Sequence, residues 1–86
     1  MGYNIHVPAD WLVVGNRIGI IESRYITGDE VDTPYWNTIK GFDRGGFYYQ
    51  HCGQTPVYYA SFDDIGRLVF ETVDDAKRYL ATHPTK

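Results

Sequence analysis

The chain has 86 residues and a net charge of −3, with 43% hydrophobic and 22% charged residues. That length gives a single domain, 1–86, with no room for a second core, and that composition excludes a disordered tail. The small acidic excess disfavours bulk binding to phosphate backbones, and a lone cysteine, Cys52, excludes an internal disulfide or a cysteine-based zinc site. Nothing at the N-terminus resembles a signal peptide and no apolar run approaches membrane-spanning length, so a cytoplasmic protein with no membrane partner is expected. Eight tyrosines and two tryptophans enrich the chain in residues that suit both strands and contact surfaces.

In chain order, Tyr3, Ile5 and Val7 alternate with Asn4 and His6, which predicts a short first strand ended by Pro8-Ala9-Asp10. Trp11 to Val14 and Arg17 to Ile26 are apolar runs joined by Gly15-Asn16, a two-residue hairpin signal. Gly19 within the second run marks a bulge or a close backbone approach. Thr27 to Pro34 carries three acids and no base and reads as a turn-rich loop, either a solvated connection or an acidic loop aimed at a basic partner. Tyr35 to Phe42, Phe47 to Cys52, Val57 to Phe62 and Arg67 to Phe70 then read as strands of a meander. Asp43-Arg44-Gly45-Gly46, Gly53 to Pro56 and Asp63 to Gly66 are its turns.

The last element is a helix. Thr72 followed by Asp75 is a capping-box pattern, Val73, Ala76, Tyr79 and Leu80 fall on one face, Asp74 and Arg78 are spaced for an ion pair, and Pro84 stops it. The fold expected is α+β: a mostly antiparallel twisted sheet of about five to seven short strands with one C-terminal helix packed on one face. A helix of about twelve residues is roughly 18 Å long and covers two or three strands. As the sheet's one evident lid, it leaves aromatic residues on the other side. The N-terminal hairpin folded over that side, a half-barrel, a second copy of the chain or a binding partner would each absorb them.

No chemical constellation in the sequence points to catalysis. His51 and Cys52 are adjacent on a strand, so their side chains face opposite ways. His6, His51 and His83 lack metal-ligand spacing, and Asp63, Asp64, Asp74 and Asp75 have turn and capping duties. No metal, cofactor or catalytic residue is therefore expected. Arg44 to Tyr49 partly matches the aromatic strand of RNA-recognition sheets, which makes single-stranded nucleic-acid binding through Trp36, Tyr48 and Tyr58 the alternative function.

From Phe42 onward the order of features resembles small phage and prophage proteins that have an aromatic strand pair with a glycine turn, a further strand and a closing helix. Phe70, Thr72, Asp75, Ala76, Tyr79 and Leu80 carry the resemblance over about half of the chain. It implies a protein that binds and blocks a host or defence-system protein in the host cytoplasm, anti-CRISPR proteins being among that class. The expectation is thus a non-enzymatic inhibitor. Tyr35, Trp36, Tyr48 and Tyr58 supply apolar contact, and Asp29, Glu30 and Asp32 steer it to a basic surface.

Overall fold

The longest element is a β-hairpin. The computed structural model describes residues 7–26 and 28–83, without the side chains of 24–26. Strand β1 (Arg17–Ile26) runs antiparallel to β2 (Asp29–Phe42) over ten cross-strand pairs, from Arg17–Thr38 to Ile26–Asp29, and Gly28 at φ 86° lies in the turn that joins them. Strands β3 (Gly46–His51), β4 (Val57–Ser61) and β5 (Val69–Phe70) complete a five-stranded antiparallel sheet in the order β4-β3-β2-β1-β5. Helix α1 (Val73–Thr82) follows, so the α+β architecture with a C-terminal helix holds.

Two expectations are corrected. Trp11 to Val14 is not a strand paired with β1. The segment turns on itself, with the Leu12 amide donating to the Ala9 carbonyl, the Asn16 amide to the Val13 carbonyl and the Asn16 side-chain amide to the Trp11 carbonyl. Asn16 locks a wrap and does not form a hairpin corner; Leu12 is buried while Val13 and Val14 are exposed, without strand alternation. The expected acidic loop is the second error, since Asp29 to Pro34 is the first half of β2. Pro34 is tolerated because its partner Ile21 sends its own amide the other way, to Leu68 at 2.8 Å. Pro34 therefore sits in a pair that exchanges no hydrogen bond with β1, and its nitrogen faces the side where β3, whose pairing ends at Asn37, has stopped. The expected strand at 3–7 falls mostly outside the described residues, and Val7 itself is not in a strand.

Each face of the sheet has its own cover. On one lie Ile18, Ile20, Ile39, Phe47, Ala60 and Val69, all buried, with Leu12 from the N-terminal wrap packed onto them. Trp11 and, from the 3-10 turn at Phe62–Asp64 and its exit, Phe62 and Ile65 close this core. The helix is not the sole lid, and it sits on the opposite face. Its carbonyl at Thr72 and its first turn press against Gly19, where a Cβ would stand 2.6 Å from the Thr72 carbonyl carbon and 2.7 Å from the Val73 nitrogen. The close approach inferred for Gly19 is thus to the helix start.

The helix starts at the expected cap, the Thr72 hydroxyl accepting from the Asp75 amide at 3.0 Å, but the capping box is only half formed, because the Asp75 carboxylate turns to Arg78. Arg78 pairs with Asp75, three residues away, and not with Asp74. Val73 and Ala76 are buried, and the Tyr79 ring lies 5.2 Å from Phe70. His83 caps the end, its ring stacked on Tyr79 at 4.2 Å and 8°.

Candidate functional site

Cross-strand partners share a face, so the register sorts every aromatic side chain. Trp36 pairs with Gly19 on the helix side of the sheet, and Thr38–Gln50–Val57 and Tyr48–Tyr59 extend that side to the β4 edge. The helix packs on β1, β2 and β5, and the β3–β4 end of this face lies beyond it. Trp36, Tyr48, Tyr59 and Val57 are exposed at 42%, 41%, 46% and 53%. With side chains of the order of 150–250 Å² each for the aromatics, these four residues together expose roughly 300 Å², with Thr38 and Gln50 lying between Trp36 and Tyr48. That is as large as the functional patches of ordinary monomers and a fair fraction of the ~800 Å² that one side of a standard interface buries.

The patch is held in place by the β2–β3 turn. Asp43 Oδ1 accepts from the Gly45 and Gly46 amides at 3.0 and 2.9 Å and from the Tyr59 hydroxyl at 2.8 Å. Tyr59 lies directly over Gly46, where a Cβ would come within 2.7 Å of its hydroxyl, and meets Tyr48 edge-on at 5.1 Å. The hydrogen bond from Tyr59, aided by the two amides, holds the Asp43 carboxyl below its ordinary 3.8, and the same bond pushes the Tyr59 phenol up to about 12. The stability Tyr59 adds is present below its ordinary 10.0 and is lost as pH rises from there through about 12. That from Asp43 is present above 3.8 and is lost as pH falls through its depressed folded value. Spectrophotometric titration of the folded protein should show one tyrosine ionising near 12, and Asp43→Asn should bring that transition back toward 10.0. An unchanged titration curve would break the assignment.

The other residues singled out by the sequence are dispersed. Tyr35 and Tyr58 lie on the core-side face, Tyr58 beside Tyr49 at 5.8 Å between rings and Tyr35 against His51 at 4.8 Å. Asp29, Glu30 and Asp32 lie along β2, and four to seven residues separate them from Trp36, or roughly 13–23 Å of strand. Glu30 and Asp32 share the face of Trp36, whereas Asp29 points to the opposite face. Tyr59, absent from the sequence expectation, replaces Tyr58 in the patch. Alternation shows that the two point apart, and only the register shows which one joins Tyr48.

Two polar features lie elsewhere. On the core-side face Glu22 Oε2 sits 3.0 Å from His51 Nδ1 and accepts from Asn37 Nδ2 at 3.1 Å. Asn37 is fully buried, and its Oδ1 has no hydrogen-bond partner among the described residues. Burial, followed by the charge of Glu22, raises the Tyr49 phenol above its ordinary 10.0. Glu22 and His51 are 29 residues apart, and no sequence spacing announces the contact. Cys52 is on the opposite side, 3.8 Å from the Thr38 hydroxyl, so the two adjacent side chains do not meet.

The second feature is a cleft of about 360 Å³ under the end of α1, floored by Ile21, Leu68 and Leu80. Its polar rim is already engaged. Asp32 accepts from Ser23 at 2.7 Å, Arg67 pairs with Asp64 at 2.7 Å, and His83 is tied to Tyr79. Among the described residues no three His, Cys, Asp or Glu side chains converge as metal ligands.

Comparison with family models, with curated proteins and with solved structures found no match to this chain. Among the described residues no helix is long and apolar enough to cross a membrane.

Proposed function

We propose that the chain is a non-enzymatic binding protein whose partner, another protein, docks on the sheet face beside the helix. The observation that carries this is the pre-set aromatic patch: Tyr59 is fixed by Asp43 and Tyr48 is packed edge-on against it, so little side-chain freedom is lost on binding. Rigid Trp and Tyr anchors of this kind dominate interface energetics. Glu30 and Asp32 share the face and fit a rim that favours a basic partner surface. The resemblance drawn from the closing helix extends the proposal to an inhibitor that covers a host or defence-system protein in a host cytoplasm. That identity rests on the resemblance alone.

Affinity capture from the organism that encodes the chain tests this. Wild-type protein should recover a partner in stoichiometric amount, and Trp36→Ala should weaken binding by about 2 kcal/mol, some thirtyfold. Recovery of no stoichiometric partner, or equal recovery by a folded Trp36→Ala variant, sinks the proposal. A second reading is favoured by Arg17, which pairs with Thr38 and so shares the face with the aromatics: a single-stranded nucleic acid stacked on Trp36 and Tyr48. Salt-dependent oligonucleotide binding would support it, and absence of binding at low salt would dismiss it.

A further inference from the structure

The outer edge of β4 carries unused backbone groups, and the hydrogen-bond alternation identifies them. The Phe62 amide donates to the Gly45 carbonyl at 3.0 Å, and the register places these two residues opposite each other. They are a hydrogen-bonded pair, and alternation makes Phe47–Ala60 and Tyr49–Tyr58 the next two. The backbone N–H and C=O of Val57, Tyr59 and Ser61 therefore point away from β3. The Ser61 amide is taken by Asp64 Oδ2 at 3.3 Å. Val57 and Tyr59 keep both outward groups, and among the described residues no strand lies beyond β4.

Sheet edges are ordinarily blunted by lysine, proline, a bulge or a cover. The other edge of this sheet, β5, has two residues and leads straight into the helix. Strand β4, Val57-Tyr58-Tyr59-Ala60-Ser61, has no charge and no proline, and its register with β3 runs without a shift. This edge is open to strand addition.

We propose that a second copy of the chain pairs antiparallel with β4 about a twofold axis at Tyr58, joining two five-stranded sheets into one. The outward groups are self-complementary about that residue. Val57 faces Tyr59 of the second copy and Tyr59 faces its Val57, each pair exchanging both backbone bonds. Tyr58 faces its own counterpart in the pair between them, where side chains approach most closely and aromatic pairs add stability. The strand itself brings no charged side chain to the seam. It also offers nothing by which a charged peptide would be selected. The seam borders the helix-side patch and shares Val57 and Tyr59 with it, but it uses their outward backbone groups and leaves Trp36 outside, so the dimer does not depend on the partner proposed above.

The test uses the twofold axis. In a Cys52→Ser background, Tyr58→Cys places two thiols in a non-hydrogen-bonded pair whose Cα separation of about 4.5 Å lies within the disulfide range. Mild oxidation should link most of the protein as a dimer, while Leu68→Cys, on the far side of the sheet, should stay unlinked. Sedimentation of the wild type should approach twice 9.9 kDa as concentration rises. Tyr58→Lys should sediment as a monomer with an unchanged circular dichroism spectrum, and Trp36→Ala should still dimerise. If Tyr58→Lys unfolds, Val57→Pro serves instead, because it removes an outward amide and leaves the β3 ladder intact. A wild type that stays monomeric, linkage no faster at position 58 than at 68, or a dimer that the folded edge variants leave intact would overturn the proposal.

Discussion

Phe47→Ala is expected to destabilise the protein by about 3–5 kcal/mol, the range for emptying a fully buried aromatic site. Phe47 has no exposed surface and lies at the meeting point of the core-side face. Its ring is 6.5 Å from Phe42, 6.0 Å from Tyr49 and 6.4 Å from Phe62, so it joins β2, β3 and the 3-10 turn after β4. Those neighbours are held by strand pairing and by the Ser61 cap of the turn, which limits how far they can collapse into the void. Domains of this size have about 5–15 kcal/mol in total, so the loss is a large share. Urea unfolding should show a much lower midpoint at an unchanged slope, and a shift worth less than about 1 kcal/mol would mean that the core is centred elsewhere.

Gly19→Ala should cost about 1–3 kcal/mol or more, through a different route. Here nothing is removed. The added methyl meets backbone atoms of Thr72 and Val73, which cannot rotate away as a flexible side chain would. The helix start must lift, loosening the Val73 and Ala76 contacts and the cap at Thr72. The core lies on the other face of the sheet, so the damage should be local. Amide exchange is expected to rise across 73–82 while protection in β3 persists. Uniform loss of protection in both regions would contradict the two-sided arrangement.

The sequence was most legible where local chemistry suffices. Thr72 as cap, Val73 and Ala76 as the buried stripe and the Asp43–Gly46 turn are local features, and each lies where its residue pattern places it. The errors come from choices among distant partners. Gly15-Asn16 reads as the hairpin turn to β1 and Thr27 to Pro34 as a loop, whereas β1 makes its ten cross-strand pairs with β2, on the far side of Gly28. The acids of Asp29 to Asp32 resembled a loop because polarity alone does not separate a loop from a two-stranded ribbon wet on both sides. Tyr58 and Tyr59 were equivalent by composition until the turn length fixed the register with Tyr48. The contact of Glu22 with His51 depends on two strand registers at once, and no short-range pattern encodes it.

Cys52 turns this geometry into a tool. It is the one cysteine in the chain, it is exposed, and its amide donates to the Trp36 carbonyl on the strand that carries the aromatic patch. Its sulfur lies beside Thr38, on the helix-side face. A photoreactive maleimide coupled there would label at a single, known position inside the footprint proposed for a partner. Fragments captured by such a probe would report which surface of the bound molecule faces Trp36, with no second thiol to confuse the map.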